Sequence, residues 1–128
     1  MITLRTLHKA TAQEVFDQVA KHLLKQGVKS TDKGNGLCVY KSDDGYKCAA
    51  GCLIAKSEYR KKYEGAGWKG LIQKYGVTSS HSDLIRDLQK MHDNADPITW
   101  PNHLKSLADI HGLNIEVLKK PKTKQNEF

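Results

Sequence analysis

Hydrophobic positions in this chain first fall into a regular rhythm at Val15/Phe16, Val19/Ala20 and Leu23/Leu24. Pairs recurring at this interval lay one apolar face along a helix. Thr11 and Glu14 have the spacing of a capping box, and Gly27 stands where a left-handed C-cap belongs. The pattern predicts a helix over 11–26. The same period returns in Trp68, Leu71, Ile72 and Tyr75, a short helix stopped by Gly76. It returns again in Leu84, Ile85, Leu88 and Met91, predicting a helix over 80–92 with Ser80 as N-cap and Asp83 in its first turn. Asp96-Pro97 breaks the chain. A last helix then starts at Thr99 or Trp100, carries Pro101 in its first turn, turns Leu104, Leu107, Ala108 and His111 inward, and ends at Gly112.

The middle of the chain reads differently. Leu37 to Lys41 and Tyr46 to Ala49 are short β-prone runs on either side of Ser42-Asp43-Asp44-Gly45, a hairpin signal. The run from Ala49 to Ala55 is almost wholly apolar and must be buried. Residues 57–65 read as loop or irregular helix, and Ile115 to Leu118 as a short strand or packed tail. The expected fold is therefore α+β: about four helices around a short antiparallel β-hairpin, in a single domain over 1–118. Residues 119–128 are expected to be a disordered basic tail.

Composition narrows the class. At 128 residues the chain can bury one core without staples. No apolar run approaches the roughly 20 residues of a membrane span, and the N-terminus has none long enough for a signal peptide. A cytoplasmic protein without membrane contact is expected. The net charge of +7 owes much to Lys119, Lys120, Lys122 and Lys124, so the rest of the chain is only mildly basic. Three cysteines, an odd number, fit a reducing compartment.

Three groups of residues bear on chemistry. Cys38, Cys48 and Cys52 lack the short paired spacing of a zinc knuckle and sit in apolar surroundings, so they are read as core thiols with no metal and no disulfide. A catalytic Cys48 would need a lowered thiol pKa, which no identified neighbour supplies. His92-Asp93 could serve acid–base chemistry, but it reads first as a helix C-terminus closed by a histidine. His8, His22, His81 and His103 read as surface histidines. Lys56, Arg60, Lys61, Lys62, Lys69 and Lys74 form the densest basic stretch, interleaved with Tyr59, Tyr63, Trp68 and Tyr75. Cations beside aromatics suit phosphate pairing with base stacking, and they equally suit a protein interface. Tyr59, Arg60, Lys61, Lys62, Tyr63 and Lys69 are the candidate ligand- or partner-binding residues. No P-loop, dinucleotide fingerprint, zincin motif or nucleophile elbow occurs, and no cofactor is implied.

Ala10-Thr11-Ala12-Gln13-Glu14-Val15-Phe16-Asp17, Cys38-x-Tyr40, Gly45-Tyr46-Lys47-Cys48-Ala49-Ala50-Gly51-Cys52-Leu53-Ile54, Glu58-Tyr59 and Leu84-Ile85-x-Asp87-Leu88-Gln89-x-x-His92-Asp93 together resemble a group of small proteins of tailed bacteriophages and prophages. The likeness spans residues 2–113, and the hairpin block is its most specific part. It implies a genomic setting in a bacterial host cell and favours binding over catalysis. Three functions follow as expectations. The first is an accessory protein that binds and neutralises or redirects a host defence or metabolic protein. The second is a sponge for an anionic nucleotide signal, with nucleic acid as a weaker partner of the same residues. The third is a small cysteine- or histidine-dependent enzyme.

Overall fold

The computed structural model describes residues 1–119. Of the tail expected over 119–128, only Lys119 falls within the described residues; its ammonium lies 3.8 Å from Glu116. Helix α1 spans Ala12–Gln26 and begins with the full capping box: the Thr11 hydroxyl accepts the Glu14 N–H at 3.1 Å, and the Glu14 carboxylate accepts the Thr11 N–H at 2.9 Å. Gly27 closes it at φ +68°, the left-handed cap that glycine adopts without penalty. Helix α2 is Trp68–Tyr75, closed the same way by Gly76. Helix α3, Ser82–Asn94, starts two residues later than its apolar rhythm suggests. Its N-cap is His81, not Ser80, held at φ +59° while its Nε2 bonds the Ala10 carbonyl at 2.7 Å. Helix α4 spans Trp100–Ile110 with Pro101 in its first turn. Ile115 to Leu118 forms no strand; Glu116–Leu118 is a 3-10 turn whose Val117 and Leu118 pack on the core.

The four helices bury their apolar faces in one cluster. Leu7, Val15, Phe16, Leu23, Leu71, Leu88, Trp100 and Leu104 lie at its centre, each fully buried. Residues 48–54 thread through this cluster. Small side chains explain how: Cys48, Ala49, Ala50 and Gly51 are all buried, and a Cβ on Gly51 would collide with the carbonyl of Tyr40.

The α+β expectation is overturned. Among the described residues no sheet forms, and the fold is helical throughout. The hairpin region keeps its turn, with Ser42 Oγ accepting the Tyr46 N–H at 3.0 Å, but its arms are reduced to isolated bridges, Thr31 with Cys38 and Lys41 with Lys47. The reason lies in where the backbone groups find partners. Every buried N–H needs one, but it need not come from a strand. Glu64 accepts the N–H groups of Tyr40 and Lys41 at 2.9 and 3.2 Å. Ser30 Oγ donates to the carbonyls of Val39 and Tyr46. Gln26 takes the N–H of Lys47 and donates back to its carbonyl. Side chains thus occupy the positions a β-ladder would use.

That device recurs along α1. Gln13, Gln18 and Gln26 each form a two-point amide pair with one backbone residue: Asn114, Ile2 and Lys47 respectively, at 2.7–3.1 Å. The three pairs dock the N-terminal segment, the central loop and the C-terminal segment onto one helix.

Candidate binding surface

The basic and aromatic residues singled out from the sequence surround the 3-10 turn Lys61–Tyr63, but they do not converge into one pocket. Tyr59 and Lys61 line a cleft of about 320 Å3 on one side of the turn, with Lys41, Asp32, Asp43 and Glu64. Arg60 and Tyr63 line a cleft of about 350 Å3 on the other, with Glu58 and Tyr75. Lys62 lies 5.0 Å over the Tyr75 ring, and Lys69 is exposed on α2. The turn is therefore a ridge between two clefts.

Its aromatic rings are engaged within the molecule. The Tyr59 hydroxyl donates to Glu64 Oε2 at 2.6 Å, and Lys41 stands 5.6 Å over its ring. Burial, and then the neighbouring Glu64, hold the Tyr59 phenol above its ordinary pKa. Tyr63 packs against Tyr75 with ring centres 5.3 Å apart. Trp68 belongs to the core. The Arg60 guanidinium donates to the carbonyls of Ser57 and Tyr59 at 3.0 and 2.9 Å. Glu64 is the residue the sequence reading undervalued. It is not among the candidate residues, yet it accepts two backbone N–H groups and a phenol at once.

The chain matches no family model, and no match was found among curated proteins or solved structures.

The second candidate group lies where α3 meets the central loop, on a cleft that also reaches Glu64. Sγ of Cys38, a ring nitrogen of His92 and a carboxylate oxygen of Asp93 all lie within 4.8 Å of one another. Hydrogen bonding fixes what this cluster can do. His92 is fully buried, accepts the Ser30 N–H at Nε2 (3.1 Å) and donates from Nδ1 to Asp93 at 2.8 Å. Gln89 also donates to Asp93, at 2.7 Å, and accepts the Ala50 N–H at 2.9 Å. His92, in the last turn of α3, is thus a pin between helix and loop, stacked on Trp100 with ring centres 5.5 Å apart. A metal on either ring nitrogen would displace the hydrogen bond to Ser30 or leave two N–H groups facing each other.

Nucleophilic chemistry fares no better there. In a cysteine–histidine pair the imidazole must reach the thiol. Here the carboxylate stands between them. Burial, followed by the charge of Asp93, pushes the Cys38 thiol up to about 11, so it stays protonated. Cys48 is buried and raised further by desolvation, and Cys52 is pushed up to about 12 by burial while its thiol donates to the Ala49 carbonyl. Cys48 fits the core reading. Cys38 and Cys52 are only partly covered; Cys38 packs at the edge of a cleft with Tyr40, Gln89 and Asp93.

The remaining histidines divide as well. His8 and His103 are exposed, as expected. His22 bonds the Lys47 carbonyl at 2.9 Å, and His111 bonds Asp87 at 2.8 Å; both, like His81, fasten separate segments together.

Proposed function

We propose that this protein is a phage-type accessory factor that acts in the bacterial cytoplasm by binding a host protein through the ridge at Lys61–Tyr63. What supports the reading is the shape of the ridge. Small ligands are bound in concave sites with converging polar groups. Four of the six candidate residues instead divide around a turn, Tyr59 and Lys61 to one cleft, Arg60 and Tyr63 to the other, while Lys62 and Lys69 line neither. Lys41, half-buried, and Lys62, exposed, stand over tyrosine rings and, with the carboxylates Asp32, Asp43 and Glu64, give a surface of mixed sign. Tyrosines set among charges of both signs suit the polar rim of a protein interface better than a phosphate cradle. No helix among the described residues is long and apolar enough to cross a membrane.

A nucleotide sponge using the same residues is the weaker reading, because stacking needs a free aromatic face and these rings are covered. Capture from bacterial lysate followed by mass spectrometry, with calorimetry against linear and cyclic nucleotides on the same preparation, tests the choice. The expected outcome is a stoichiometric protein partner that is lost from the Lys61→Glu/Lys62→Glu variant. Sub-micromolar nucleotide binding that the same variant abolishes would contradict it.

A further inference from the structure

We infer a second binding site on a different face of the molecule: the cleft between α1 and residues 47–52 takes a small organic anion with an apolar body. At about 700 Å3 it is larger than either cleft beside the ridge and within the range of ordinary ligand sites. Its floor includes Cys52 and Val117, and its rim carries Lys21, Lys25 and Lys47. Lys21 and Lys25 lie one turn apart on α1, so their ammonium groups share a face. Lys47 is brought to the same rim by its backbone, which His22 and Gln26 clamp to the helix at 2.9–3.0 Å. None of these three lysines forms an ion pair among the described residues. Asp17, the carboxylate at the edge, accepts a hydrogen bond from Gln13 at 2.9 Å.

Charge decides the occupant. Three unpaired ammonium groups around an apolar floor favour an anionic head on an apolar body and disfavour a cation. Among the described residues lining the cleft there is no Phe, Tyr or Trp, and the His22 imidazole is held by its bond to the Lys47 carbonyl, so the cleft has no stacking platform like those of base-binding sites.

The test uses a matched pair of fluorescent probes, 1-anilinonaphthalene-8-sulfonate and its uncharged parent N-phenyl-1-naphthylamine, titrated into the full chain. The expected result is saturation by the sulfonate at one equivalent, with the uncharged probe weaker by roughly tenfold or more. Lys21→Glu/Lys25→Glu should weaken the sulfonate by a similar factor and leave the uncharged probe unchanged. Both lysines are exposed, so the fold should survive; circular dichroism and melting temperature check this, and the milder Lys21→Gln/Lys25→Gln should give an intermediate loss. Val117→Trp, which fills the cleft without changing charge, should weaken both probes. Equal affinity for the two probes, unsaturable binding, or a sulfonate affinity indifferent to the lysine reversals would overturn the proposal.

Discussion

At the scale of single residues, the polar side chains that matter most are those that serve backbone. Glu64 holds the N–H groups of Tyr40 and Lys41 and the phenol of Tyr59. Glu64→Gln keeps the volume but removes the charge and turns one accepting oxygen into an N–H donor, so at least one of the three bonds is lost; hydrogen bonds to charged groups contribute about 1.5–3 kcal/mol each. We expect urea unfolding of Glu64→Gln to show a loss of about 1–3 kcal/mol, whereas Asp44→Asn, an exposed partner of Lys33, should lose less than about 1 kcal/mol. Titration follows the same logic. Burial lowers His22 from its ordinary 6.5, so the unfolded chain binds this proton more readily and stability should decline as pH falls below about 6.5. Burial alone would raise Asp93, but its hydrogen bonds with His92, Cys38 and Gln89 hold it below its ordinary 3.8. Burial likewise opposes the lowering of Glu58, which the N–H groups of Ala55, Leu4 and Arg5 impose. For these depressed carboxylates the stabilisation is complete above their ordinary values and is lost as pH falls through the folded ones. Melting temperatures followed downward from neutral pH should therefore show an early decline, absent in His22→Gln, and a later one below about pH 4, reduced in Asp93→Asn.

At the scale of elements, apolar periodicity identified the helices because each buries one stripe: Val15, Phe16, Val19, Ala20 and Leu23 on α1 are all buried, as are Leu84, Ile85, Leu88 and Met91 on α3. The starts were less legible. Ser80 looked like a cap, but a histidine in the left-handed region took the position because its ring could reach Ala10 across the fold. The hairpin failed for a related reason. Residues 37–49 have strand-like composition, yet the N–H groups of Tyr40, Lys41 and Lys47 are taken by the side chains of Glu64 and Gln26, more than twenty residues away and invisible to any local pattern. Hydrogen exchange tests this substitution of amides for a ladder. Gln26→Ala should speed exchange at the Lys47 amide and leave those of Ile2 and Asn114, which Gln18 and Gln13 protect, unchanged. Uniform acceleration of all three would show that the pairs are not independent. Gly51 marks where the run from Cys48 passes closest to the Tyr40 backbone, so Gly51→Ala should lower stability by about 1–3 kcal/mol through overpacking, a loss that denaturant unfolding would register.

At the scale of the whole molecule, charge and shape separate two surfaces. The basic stretch around Lys61 was legible as a dense run of cations and tyrosines, but its division between two clefts depends on the turn at Lys61–Tyr63, which sequence left irregular. The pocket on α1 has a local signal in Asp17, Gln18, Lys21, His22 and Lys25; Lys47 and Val117 reach it from elsewhere in the chain. The ridge is the surface assigned to the protein partner, and the most direct test of that assignment is the association rate of the captured partner with two variants of equal charge change. Lys61→Glu/Lys62→Glu alters the ridge, and Lys21→Glu/Lys25→Glu alters α1. If the ridge steers docking, the first should slow association roughly tenfold and the second should leave it nearly unchanged. Equal slowing by both would mean that only net charge matters, and slowing by the second alone would place the partner on α1; either result would contradict the ridge as the docking surface.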